Sequence, residues 1–162
     1  MRVIGIDPGS RLCGWGIVER NGSKLSHVAH GTFRLGDGEL ADRLVALESG
    51  LVEALRAHAP LSAAIESMFF SKNAQSAVKL AHARGVAMMV VRRAGLPIAE
   101  YTPSRVKSVV VGSGSADKLQ VSRVVSMMLG LAELPQADAA DALAVAITHT
   151  SAIGFAAALK RS

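Results

Sequence analysis

Residues 1–22, MRVIGIDPGSRLCGWGIVERNG, decide the start of the fold. The first six residues are rich in β-branched side chains and predict a strand that ends at an Asp-Pro-Gly-Ser turn. Residues 14–20 predict a second strand, and the Asn21-Gly22 pair after them is a strong hairpin signal. We therefore expect a third, antiparallel strand over residues 24–34, so that the chain opens with a three-stranded meander.

Strands and helices alternate downstream of this meander. Leucines recur at spacings of three and four over residues 40–58, which is the period of an amphipathic helix. Residues 63–65 are a short apolar run typical of a buried strand. The other predicted elements are a helix over about residues 73–94, a strand over residues 97–101, and helices over residues 104–110, 117–129 and 136–151. This order predicts an α/β domain in which one mixed five-stranded sheet carries helices on both faces.

Length and composition limit the class of protein. At 162 residues and 16.8 kDa the chain fits one domain with its own core. Its longest aliphatic or methionine run, residues 86–91, is far shorter than the roughly 20 residues of a membrane-spanning helix. The N-terminus lacks the zones of a signal peptide, which favours a cytoplasmic location. Because Cys13 is the only cysteine, an intrachain disulfide is excluded.

Basic residues are concentrated in the middle of the chain. The net charge is +5, but residues 67–130 carry nine Lys or Arg against two acids, which leaves a net charge of −2 for the remainder. This distribution is typical of a surface that binds a polyanion such as nucleic acid, although solvated lysines on helices give the same count.

Four carboxylates occupy positions where apolar side chains are expected. Asp7 and Glu66 each end a predicted buried strand, while Asp138 and Asp141 lie one turn apart on an Ala-rich helix. Buried carboxylates are costly unless they are paired or bind a cation. If the sheet brings the strand ends together under this helix, the four side chains form a hard-oxygen site for Mg²⁺ or Mn²⁺. Two such ions about 3.5–4 Å apart can promote hydrolysis of a phosphodiester.

Three of these acids also have a simpler interpretation. Asp7 could serve only to form the turn, Glu66 could lie on the surface, and Asp141 could be a solvent-facing spacer. Their joint occurrence on a chain with a basic middle favours the metal site. The five histidines share no ligand spacing, and we assign none of them to catalysis.

Four segments of the chain resemble the signature segments of the RuvC family of bacterial Holliday junction resolvases. They are MRVIGIDPGSRLCGWGIVE (1–19), AAIESMFFSKNAQSAVKLAHARGVA (63–87), VKSVVVGSGSADKLQV (106–121) and PQADAADALAVAITH (135–149). The resemblance implies the ribonuclease-H-like fold, for which we expect a single domain over residues 1–155 and a short basic tail over residues 156–162. It also implies a homodimeric, Mg²⁺-dependent endonuclease that cuts two opposed strands of a four-way DNA junction during recombination and repair. A branch-migration complex is the implied partner.

The resemblance also assigns roles to individual residues. The metal-binding and catalytic acids of the family are matched by Asp7, Glu66, Asp138 and Asp141, with two Mg²⁺ ions expected and Mn²⁺ able to substitute. Lys107 and Lys118 match basic positions at the DNA, and Phe69 matches an aromatic residue associated with opening the junction. Ser67 departs from the Gln that the family commonly has at this position, which puts in doubt a side-chain contact beside the metal site.

Other classes of function remain open at the level of the residues. A nucleotide-binding protein of the actin type also has a first strand that ends in Asp, but it needs two lobes and a longer chain. A non-catalytic DNA-binding scaffold would not need all four acids. Another ribonuclease-H-like nuclease acting on branched or structured nucleic acid is the closest alternative.

The long middle helix predicts a dimer independently of the resemblance. Residues 86–91 are apolar through more than a full turn, so the second half of this helix has almost no polar outer face. A second copy of the chain is the expected cover. Ordinary core packing under a terminal helix is the alternative.

Overall fold

A computed structural model describes residues 1–67 and 74–159 of the chain. Within this part, the strands are β1 (Arg2–Asp7), β2 (Leu12–Asn21), β3 (Lys24–Arg34), β4 (Ser62–Glu66) and β5 (Ile98–Tyr101). They form one sheet in the order β3-β2-β1-β4-β5. The first three strands are antiparallel neighbours, whereas β4 and β5 extend the sheet in parallel with β1. The prediction of a mixed five-stranded sheet that opens with a meander is confirmed.

Helices cover both faces of the sheet, as the sequence predicts. They are α1 (Leu40–His58), α2 (Ala74–Arg93), α3 (Pro103–Val111), α4 (Lys118–Leu129) and α5 (Ala137–Leu159). Helices α1 and α2 pack on the face to which β1 presents Ile4 and Ile6. Helices α3, α4 and α5 pack on the opposite face, with Val3 and Ala64. The alternation of side chains along β1 therefore serves two separate cores.

Local capping signals explain where α3 and α4 begin. The Thr102 hydroxyl accepts a hydrogen bond from the Arg105 N–H, and Pro103 occupies the first helical position. Asp117 and Gln120 form a reciprocal capping box at the start of α4. Both helix starts agree with the sequence prediction to within a residue or two. Lys107 therefore lies on α3 and Lys118 at the first position of α4, and both helices pack on the same face of the sheet as α5.

Helix α5 is longer than predicted. It continues to Leu159 instead of ending near residue 151, because the Ala-rich segment beyond that point has high helix propensity. The Arg20 side chain also donates to the Thr150 carbonyl oxygen at 3.3 Å, which ties this part of α5 to β2. The boundary at residue 155 stays a prediction. Within the described residues, no helix has both the length and the apolar character needed to span a bilayer.

Candidate active site at the edge of the sheet

Asp7 and Glu66 lie at the same edge of the sheet because β1 and β4 run parallel. The ladder between these strands ends with Ile6 opposite Ile65, so the next residue of each strand is an acid. Both acidic residues are half-buried. The structure thus brings together the two strand-end carboxylates that the sequence singles out.

Glycines on β1 and β2 allow helix α5 to lie directly on the sheet. A Cβ atom at Gly14 would lie 1.9 Å from the carbonyl oxygen of Asp138, and one at Gly5 would lie 2.0 Å from that of Ala142. Only a residue without a side chain fits at such a close approach. The contact brings the first turns of α5, which carry Asp138 and Asp141, to the edge where β1 ends. Helix α5 thus packs over the end of β1, which is the arrangement that a four-acid site requires.

The acids influence one another strongly. Burial, followed by the negative charges of Glu66 and Asp141, raises the pKa of Asp7 to about 7. Burial and then the charge of Asp141 also raise the pKa of Glu66. Two neighbouring carboxyl groups that resist ionisation in this way are stabilised by a cation.

Lys118 supplies a positive charge inside this cluster. Its Nζ atom lies 2.8 Å from Oδ2 of Asp141, and this hydrogen bond is the main cause of the raised pKa of Lys118. The two residues are 23 positions apart, so no local spacing pattern reveals the pair. Lys107, on α3, has a charge that opposes the rise in the pKa of Glu66. Lys118 therefore lies within electrostatic reach of all four acids, and Lys107 lies within reach of Glu66.

Arg84 is a neighbour of the site that the sequence analysis missed. Its guanidinium donates to the backbone carbonyl oxygen of Glu66 and lies 2.5 Å from Oε2 of Glu100. Arg84 also lines a cavity of about 110 Å³ that reaches Asp7 and Glu66. One arginine among the basic residues of the middle region carries no signal of its own, so only the folded chain identifies it.

His149 lies deeper on α5 and has a different environment. Its ring nitrogens lie 2.7 Å from the Ser62 hydroxyl oxygen and 2.8 Å from the Tyr101 hydroxyl oxygen. These contacts join α5 to β4 and β5. The ring is buried, and burial lowers its pKa.

The donor set at the edge of the sheet fits a hard divalent cation. All four acids offer oxygen ligands, they are half-buried, and a lysine ammonium already contacts one of them. Across residues 1–67 and 74–159, however, no three His, Cys, Asp or Glu side chains converge into a ready-made ligand set. Phe69 lies outside the described residues, so its position relative to the acids is untested.

The fold and this acidic edge define a ribonuclease-H-like protein with a carboxylate site suited to divalent cations. The model of the family described as crossover junction endodeoxyribonuclease RuvC matches residues 3–149. The chain belongs to the RuvC family.

Individual relatives support this assignment. The chain is 54% identical to the crossover junction endodeoxyribonuclease RuvC of Sorangium cellulosum, over 100% of this chain and 91% of that protein. It is 50% identical to the enzyme of the same description from Syntrophotalea carbinolica, over 92% and 93% of the two chains. Among solved structures, T. thermophilus RuvC in complex with a Holliday junction substrate superposes with a TM-score of 0.90 at 31% identity, over 96% of each chain. The yeast mitochondrial Holliday junction resolvase Ydc2 shares the fold, with a TM-score of 0.63 at 14% identity.

Proposed function

We propose that this chain resolves four-way DNA junctions by cutting two opposed strands through metal-dependent hydrolysis. The observation that carries the proposal is the acidic edge of the sheet, formed in a chain of the RuvC family by Asp7, Glu66, Asp138 and Asp141. The junction substrate in the T. thermophilus complex supports the choice of DNA. The proposed roles are recombination and repair, and the proposed location is the cytoplasm.

The proposed cofactor is a pair of Mg²⁺ ions held by these four acids, with Mn²⁺ able to replace them. Bound there, the ions would activate a water molecule and stabilise the leaving oxygen of the phosphodiester. Asp7 must be ionised to act as a ligand, and its pKa is about 7. Metal binding therefore releases a proton from Asp7 at and below neutral pH.

Lys107 and Lys118 are the proposed phosphate contacts. The Lys118 side chain is 74% exposed although its ammonium binds Asp141, so it can exchange this partner for a phosphate oxygen. Lys107 lies on α3, within electrostatic reach of Glu66. Phe69 is proposed to stack on a base as the junction opens, a contact worth about 1–3 kcal/mol.

A homodimer is the proposed assembly. Met89 on α2 is 42% exposed and borders an apolar groove of about 430 Å³ between α1 and α2 that Leu44 and Val86 also line. Val45 on α1 and Val78 on α2 are also exposed apolar side chains, at 60% and 55%. A second copy on this surface would give a twofold assembly with two equivalent acidic sites, which matches the two equivalent strands of a four-way junction.

Two further points belong to this proposal. The branch-migration complex is carried over as a partner from the family. The division into a nuclease domain over residues 1–155 and a basic tail over residues 156–162 is retained as an expectation.

A synthetic four-way junction tests the proposal directly. We expect paired, symmetric nicks with Mg²⁺, none with a chelator, and none in a linear duplex of the same sequence. Asp7→Asn should bind the junction but not cut it, because Asn keeps the shape of the side chain and removes the charge that the cation needs. Near-normal cleavage by Asp7→Asn, or an intact junction with the unmodified protein in Mg²⁺, would overturn the proposal.

A further inference from the structure

We propose that Arg84 is a positioning residue that holds the backbone of Glu66 at the active edge of the sheet. This inference rests on the proposed function, because it concerns one of the proposed metal ligands. The Arg84 guanidinium bridges two strands. One nitrogen donates to the Glu66 carbonyl oxygen at the end of β4, and the other pairs with the Glu100 carboxylate on β5.

Glu66 needs such support because it lies at the end of β4, where the backbone pairs with only one neighbouring strand. Its pairing with β1 is already over, since the last β1 partner in β4 is Ile65. On the other side Glu66 pairs with Tyr101, and the Ser67 N–H donates to the Tyr101 carbonyl oxygen at 2.7 Å. The hydrogen bond from Arg84 provides a further restraint on Glu66, from helix α2.

Arg84 is itself held in place. Its side chain is only 11% exposed, and Oε2 of Glu100 lies 2.5 Å from its Nη2 atom. The planar guanidinium offers two donors in a fixed geometry, so it can bind both partners at once. A lysine ammonium at this position would lack that fork.

The low exposure of Arg84 also separates its role from that of the lysines. Lys118 keeps a largely exposed side chain that can meet a phosphate, whereas the Arg84 side chain is covered. The charged groups that shift the pKa of the Glu66 carboxyl are Asp141, Lys118 and Lys107. The contact from Arg84 is to the main chain of Glu66, so its effect is on position.

The test compares Arg84→Ala and Arg84→Lys with Arg93→Ala. Arg93 lies on the same helix, but it is 71% exposed and pairs with Glu48 at 3.5 Å, away from the acids. Substitution of a residue that orients a metal ligand typically lowers metal affinity or activity by about 10–100-fold. We expect Arg84→Ala to weaken Mn²⁺ binding in the absence of DNA by a factor in this range, measured by calorimetry. The maximal cleavage rate should fall similarly, while the Kd for the junction changes by less than about threefold.

Arg84→Lys should recover only part of the loss, and Arg93→Ala should match the unmodified protein. Wild-type Mn²⁺ affinity and cleavage rate in a folded Arg84→Ala variant would overturn the inference. A defect confined to junction affinity would also overturn it, because Arg84 would then be a DNA contact.

If thermal melting shows that Arg84→Ala does not fold, Glu100→Gln decides, since it weakens the anchor of Arg84 while preserving side-chain size. A wild-type Mn²⁺ affinity in Glu100→Gln would then reject the positioning role. Failure of the unmodified protein to cut junctions would refute the proposed function, whereas the ratio of Mn²⁺ affinities would still decide the role of Arg84.

Discussion

The carbonyl oxygen of Asp138 lies so close to Gly14 that a Cβ atom on residue 14 would be only 1.9 Å away from it. Gly14 is on β2, directly opposite Asp7 on β1, so the contact joins α5 to the strand pair that carries the first acid of the site. The position of α5 over the sheet therefore depends on the absence of a side chain at residue 14, and so does the position of Asp138.

Gly14→Ala should destabilise the fold and reduce cleavage. The added methyl group must displace α5 or bend β2, and such overpacking lowers the free energy of unfolding by about 1–3 kcal/mol, occasionally more. Urea denaturation measures this loss. Gly38→Ala is the control, because a Cβ atom at Gly38 meets open space and the φ angle is not left-handed. Equal stability of the two variants would contradict the prediction.

Asp7→Asn should stabilise the metal-free protein at high pH. The pKa of Asp7 rises from 3.8 to about 7 on folding, so the native state holds the proton more tightly than the unfolded chain does. Stability of the unmodified protein therefore falls as the pH rises through this window. At about 1.36 kcal/mol per pKa unit, the advantage of Asp7→Asn should grow by about 2 kcal/mol between about pH 5.5 and about pH 8.5.

Chemical denaturation in the presence of a chelator measures this difference. Added Mg²⁺ should stabilise the unmodified protein more than Asp7→Asn, since the cation favours the ionised carboxylate. An advantage that stays constant over the pH range would show that the Asp7 carboxyl does not titrate there.

Lys107→Ala and Lys118→Ala should each weaken binding to junctions of any sequence. Each loses one phosphate contact, so the slope of log affinity against log salt should become shallower by about one. Binding measured at several salt concentrations gives this slope. Lys24→Ala is a matched control, because Lys24 is exposed at the hairpin end of β3, far from the acids. A slope unchanged from that of the control would remove either lysine from the DNA surface.

Phe69→Ala should impair junction cutting more than junction binding. Loss of a stacking contact of about 1–3 kcal/mol affects the opened junction, while the salt slope remains near that of the unmodified protein. Fluorescence of a base analogue at the junction centre measures opening, and cleavage rates are compared in parallel. Phe69→Trp should restore both signals. An effect on thermal stability alone would place Phe69 in the core.

Met89→Glu should yield a folded monomer that no longer makes paired nicks. A buried, unpaired carboxylate is unfavourable in the proposed interface, but Met89 is 42% exposed within one chain, so the fold tolerates the change. Sedimentation measures the assembly state at micromolar concentration. Met127→Glu on α4, where Met127 is 73% exposed, should remain dimeric. A monomeric unmodified protein, with or without junction DNA, would exclude the dimer and symmetric cutting.

The features that the sequence by itself determined have local causes. The hairpin at Asn21-Gly22 depends on two adjacent residues, and α3 begins at a Thr102-Pro103 cap whose partners lie within three positions. The leucine period predicts the bounds of α1, because the spacing of apolar residues that marks an amphipathic helix lies entirely within the helix itself. The strand-end positions of Asp7 and Glu66 also follow from the residues before them.

Only the tertiary structure decided how the chain joins distant residues at the site. The pairing of Lys118 with Asp141, the support of Glu66 by Arg84, and the raised pKa of Asp7 all arise between elements that the sheet order brings together. Spacing along the chain carries no record of such contacts, because it reports the period of one helix or strand and not which elements become neighbours. The sequence therefore identified the acids, whereas folding determined their burial, the raised pKa of Asp7 and the side chains that contact them.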